Sequence, residues 1–109
     1  VAMSDSDDIE LGGHITLSGF SELEHMELTV VKKLVGRYAR QMSDSNKDFE
    51  NIKVNLKEIH KTPKSQKYEI HSKLMISGKP YVSEVVDRNL FVALDQSLKK
   101  VISSTEKKK

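Results

Sequence analysis

The hydrophobic period changes between Lys67 and Ile102, and that change constrains the fold more than any other stretch. Tyr68, Ile70, Leu74 and Ile76 alternate with Lys67, Glu69, His71, Lys73 and Met75, the pattern of a strand with one buried face. Ser77-Gly78-Lys79-Pro80 interrupts the run and Tyr81 to Val86 resumes it. From Asp87 onward the apolar residues fall at Leu90, Phe91, Leu94, Leu98, Val101 and Ile102, one stripe of a helix. A hairpin feeding into an amphipathic helix is a structural unit rather than a catalytic one, and its flanking lysines suit a small binding module.

The rest of the chain supplies what this unit must pack against. His14 to Ser18 reads as a short strand with Ile15 and Leu17 inward. Ser21 and Glu24 have the spacing of a capping box, which predicts a helix start there. Val30, Val31, Leu34, Val35, Tyr38, Ala39 and Met42 recur at three- and four-residue steps, and the polar segment Ser43 to Asp48 closes that helix. Ile52, Val54 and Leu56 alternate with Lys53, Asn55 and Lys57, a strand running to about His60. Lys61 to Gln66 is a basic turn containing Pro63. The expected order is strand, helix, three strands, helix: an α+β two-layer sandwich, β-α-β-β-β-α. Its four-stranded mixed sheet carries two helices on one face, with the first two strands parallel and the last three a meander. Residues 1–13 read as a disordered leader, 14–103 as a single α+β domain and 104–109 as a basic flexible tail.

Composition narrows the function classes. The chain has 109 residues, enough for one core but too few for a cleft between domains. Its net charge is +2, so a polyanion-binding surface must arise from local sorting of the 18 lysines and arginines. The absence of cysteine excludes disulfides and thiolate metal sites. No apolar run approaches the roughly 20 residues that span a bilayer, and the acidic start lacks the features of a signal peptide. A cytoplasmic location without a membrane partner is the expectation.

Candidate chemistry is sparse. His14, His25, His60 and His71 lie on different elements and never at ligand spacing, so no metal site, cofactor or small-molecule substrate is expected. His60 facing His71 across a hairpin is equally explained as a solvated strand pair. Glu58 and His60 share a strand face, yet no nucleophile elbow or phosphate-cradling glycine loop accompanies them. A non-enzymatic role follows.

Basic residues are better organised. In the first helix Lys32, Lys33, Arg37 and Arg40 fall opposite the apolar half, and no Asp or Glu lies between Val30 and Met42. In the last helix Arg88, Lys99 and Lys100 lie beside or opposite the apolar stripe. The hairpin adds Lys61 and Lys64, flanked by Lys57 and Lys67. Outward charges on a single helix ordinarily serve solubility. Two basic helices on one sheet face would instead make a ridge suited to phosphates, so RNA is the expected partner. With few aromatics, backbone and shape contacts fit better than base stacking. A protein–protein interaction module using the open sheet face or an edge strand is the alternative.

The order of elements over Ile15 to Ile102 resembles the ribosome hibernation factor family, the ribosome-associated inhibitor, sigma-54 modulation or S30EA proteins. The similarity is most specific from Val82 to Val101, where Asp87, Phe91, Ala93, Leu94, Asp95, Lys99 and Lys100 fill the family's places; the Lys32-Lys33-Leu34 step is similar too. The resemblance implies a protein that occupies the decoding channel of the small ribosomal subunit and blocks translation. It further implies that Lys99, Lys100 and the basic face of the first helix touch ribosomal RNA phosphates, and that Asp87 caps the last helix. The patterning from Val30 onward also suits a double-stranded-RNA-binding-like domain, although Ser77 to Pro80 precedes a strand where that domain would carry its basic glycine loop.

Overall fold

The computed structural model describes residues 8–21, 23–62 and 65–105, the side chains of 58–62 and 65 excepted. Seven elements follow in order: β1 (Ile9–Leu11), β2 (Ile15–Ser18), α1 (His25–Ser45), β3 (Phe49–Thr62), β4 (Ser65–Ile76), β5 (Lys79–Asp87) and α2 (Leu90–Thr105). They form an α+β fold with one five-stranded mixed sheet, ordered β1-β2-β3-β4-β5.

Register decides which face of the sheet is covered. Ile52, Val54 and Leu56 of β3 stand opposite Leu74, Ser72 and Ile70 of β4, which in turn face Tyr81, Ser83 and Val85 of β5. The parallel neighbour β2 sets Ile15 beside Ile52 and Leu17 beside Val54. Because side chains alternate along a strand, these residues share one face, and they are the buried or half-buried ones. Helix α1 covers β2 and β3, α2 covers β4 and β5, and the two helices touch each other. Val31, Val35, Ala39 and Met42 from α1 meet Leu90, Leu94, Leu98 and Val101 from α2 in a single core.

Several expectations need correction. The sheet has five strands, not four, because Ile9–Leu11 pairs antiparallel with β2 inside the segment read as a disordered leader. Ile9 and Leu11 alternate about Glu10 and pack against the core, but three residues are too short a run to outweigh the acidic composition before them. Gly12 and Gly13 both take positive φ in the connection, which glycine adopts without strain. The first helix begins at His25, four residues after Ser21. Glu24 is its N-cap residue, and its backbone N–H donates to the Glu27 carboxylate at 3.2 Å. The chain between carries Phe20, which is fully buried and gave no periodic signal. Gly19 makes that passage possible: its φ is +80°, and a Cβ there would collide with the Leu56 carbonyl oxygen.

Helix α1 runs to Ser45, into the polar segment expected to close it. Strands β3 and β4 pair as far as Thr62 and Ser65, so the long hairpin is tighter than the six-residue turn expected. Ser77 and Gly78, both at positive φ, make the two-residue turn into β5, the conformation that suits the twist of a hairpin. Of the expected tail, Ser104 and Thr105 belong to α2, while 106–109 lie outside the described residues. No helix among the described residues is long and apolar enough to cross a membrane.

Candidate nucleic-acid interface

At 3.6 residues per turn, α1 turns Val31, Val35, Ala39 and Met42 to the core and places Lys33, Arg37 and Arg40 on the far side. All three are exposed, and Lys32 is half-buried on the flank away from Tyr38. Among the described residues no carboxylate pairs with any of these four. Arg37 and Arg40 also line a shallow depression with Gln41, Asp44 and Ser45 at the C-terminal end of α1. The Asp44 carboxylate shares that depression, and the last turn of α1 carries no basic residue.

Tyr38 holds the seam between the helices. Its hydroxyl donates to Asp95 Oδ1 at 2.6 Å, and Lys99 Nζ lies 3.2 Å from Asp95 Oδ2. Burial, followed by this bond, pushes the Tyr38 phenol up to about 12. The same bond, with Lys99 and the nearby Arg37, holds the Asp95 carboxyl below its ordinary value against an opposing effect of burial. The Arg37 guanidinium sits 5.9 Å from the Tyr38 ring centroid. Arg37 and Lys99 thus flank one carboxylate, and part of the charge of each is answered within the protein.

The structure separates residues that the sequence reading grouped. Lys99 lies on the outward strip of α2 with Val92, Gln96 and Ser103, the only cation of the four. Lys100 turns the other way, over β5, where its ammonium donates to the Glu84 carbonyl at 3.4 Å. Arg88 is exposed in the turn before α2, at the opposite end of that helix from Lys99. The continuous ridge expected across two helices is therefore an α1 strip joined by Lys99, with Arg88 and Lys100 apart from it. Lys61 contributes only a backbone position, paired with Gln66, and Lys64 lies outside the described residues.

Asp87 is not the N-cap of α2. Asn89 fills that role: its Oδ1 accepts from the N–H groups of Phe91 at 2.9 Å and Val92 at 3.0 Å. Asp87 stands two residues earlier and accepts the Asn89 N–H at 3.0 Å, which braces the turn that presents the cap. Both residues have the short polar side chain the job requires, and only the end of the strand separates them.

The open sheet face carries groups that periodicity did not single out as a site. Lys53 and Lys73 are direct cross-strand neighbours, both exposed. His71 is opposite Asn55 on one side and Glu84 on the other, while His60 pairs with Lys67, so the two histidines do not face each other. The side chains of Glu58 and His60 lie outside the described residues. Comparison with known proteins finds no matching family model and no matching curated protein.

Proposed function

We propose that the chain is a non-catalytic ribosome- or structured-RNA-binding protein that works by occupancy, blocking translation from within the small-subunit decoding channel. The observation that carries this reading is the α1 strip: Lys33, Arg37 and Arg40 are exposed on one helix face with Lys32 beside them. Exposed cations at such spacing match a phosphate backbone, whose neutralisation releases counterions and drives binding. Support also comes from the order β2-α1-β3-β4-β5-α2, which is the order on which the resemblance to the hibernation factors rests. Lys99 extends the strip across the helix seam, and Tyr38 and Asp95 fix its position.

Co-sedimentation with purified small ribosomal subunits tests the reading. At low salt the parent chain should pellet with the subunits, and Lys33→Glu combined with Arg40→Glu should leave it in the supernatant. Equal pelleting of parent and variant would overturn the assignment.

A second reading draws on the sheet edge. Val82 and Val86 are 69% and 49% exposed on β5, an unusual place for two valines beside an unpaired strand edge. A protein partner adding a strand there would cover them. Retained partner binding in the charge-reversed variant, with loss on Val82→Lys, is the outcome that selects this reading.

A further inference from the structure

Three metal-competent side chains converge on the open face of the sheet, away from both helices. Glu69 and His71 are two residues apart on β4 and so project to the same side, and Glu84 of β5 is the direct cross-strand neighbour of His71. His71 Nε2 lies 2.9 Å from Glu69 Oε2 and 3.8 Å from Glu84 Oε2, and one donor atom from each residue falls within 4.8 Å of the others. Ligand atoms about 2.0–2.2 Å from a tetrahedral zinc ion stand roughly 3.3–3.6 Å apart, between the two His71 distances, and the two carboxylates would draw together to reach it. The side chains of Glu69 and His71 are 20% and 34% exposed and that of Glu84 is 60% exposed, so a cation can reach the cluster from solvent.

We infer that Glu69, His71 and Glu84 form a binding site for a first-row divalent cation, of which zinc is the best match. One imidazole nitrogen and two carboxylate oxygens suit a borderline ion, whereas magnesium and calcium take oxygen ligands in larger sets. Three protein ligands leave one tetrahedral position for water or an anionic oxygen. All three ligands stand on paired strands rather than loops, which fixes their spacing without further ordering. A bound ion would clip the edge strand β5 to β4 and relieve the approach of two carboxylates. The ordinary alternative is a histidine–carboxylate pair with no affinity for metal. This site is independent of the RNA reading.

Calorimetric titration of the full chain with zinc separates the two. One saturable site with a Kd below about 100 µM is expected, unaffected by excess magnesium. His71→Ala should weaken it at least tenfold, by the roughly 10- to 100-fold scale of metal-site substitutions, and Glu84→Gln about tenfold. His14→Ala and His25→Ala should bind like the parent. Zinc at about a hundred times the parent's Kd should also raise the Tm of the parent by about 10 °C, and that of His71→Ala by at most about half as much. Glu84→Gln alters an exposed side chain and serves if His71→Ala does not fold. Absence of saturation, parent-like affinity in both ligand variants, or a Tm that zinc does not move would each overturn the assignment.

Discussion

Tyr38 shows how one hydroxyl can serve both the core and the surface. Its ring packs against the core while its oxygen donates to Asp95, so a residue read from periodicity as core also sets the position of two cations. Tyr38→Phe keeps the ring and removes that bond, which should cost roughly 1.5 kcal/mol near pH 7, since the acceptor is charged but partly solvated. The pH dependence has a definite sign. Asp95 titrates lower in the folded protein, so its contribution is present above the unfolded carboxylate value and fades as pH falls through the folded one. Tyr38 titrates higher, near 12, so its contribution is complete below pH 10 and fades as pH rises toward 12. Urea unfolding of parent and Tyr38→Phe across this range should give a stability difference that is flat from about pH 5 to 9 and narrows on both sides. A difference that does not change with pH would mean that the bond contributes little.

At the scale of elements, α2 is held to the sheet by more than its leucines. Ser97 is fully buried, with its hydroxyl 2.7 Å from that of Ser72 and 3.0 Å from that of Ser83, while Ser83 also donates to the Ser97 carbonyl at 2.7 Å. Ser97→Ala leaves the buried Ser72 hydroxyl without its helix partner and should cost about 1–3 kcal/mol. Ser72→Ala should cost less, because Ser97 keeps Ser83, and adding Ser72→Ala to Ser97→Ala should recover part of the loss. Chemical denaturation of the two single variants and the double variant measures this coupling. The trio also marks where sequence reading stops. Ile70, Leu74 and Ile76 revealed an inward row by their apolar character, and Ile52, Val54 and Leu56 revealed its neighbour. Ser72 and Ser83 belong to the same inward rows, but a hydroxyl carries no hydrophobic signal. In β5 the buried Ser83 sits between the exposed Val82 and Glu84, so apolar character does not mark its inward row. In the same way, alternation identified four strands while missing β1, whose three residues gain their meaning only from β2 beside them. Local period was legible, whereas cross-strand register, which brings His71 to Glu84, was not.

For the whole molecule, the net charge of +2 hides an uneven distribution. The far side of α1 carries Lys33, Arg37 and Arg40, of which Arg37 is partly answered by Asp95, and Lys99 stands across the seam. Periodicity set Lys32 on the outward face with Lys33, Arg37 and Arg40, whereas Lys32 is half-buried on the flank. It also could not show that Lys99 and Lys100, adjacent in sequence, diverge by about 100° around α2. One faces the seam and the other the sheet edge. This geometry limits how many phosphates one RNA segment can meet at once. If Lys33, Arg37, Arg40 and Lys99 each neutralise one phosphate, the slope of log Kobs against log salt should lie at roughly −2.8 to −3.6, at about −0.7 to −0.9 per contact. Reversing Lys33 and Arg40 should flatten that slope by roughly 1.4 to 1.8, while reversing Lys100, which lies apart, should barely change it. Fluorescence anisotropy of a labelled RNA duplex over a salt series reads all three slopes. If Lys100→Glu flattened the slope as much as Lys33→Glu, the RNA would have to wrap the β5 edge as well as α1. The contact surface would then extend around the molecule instead of following one helix.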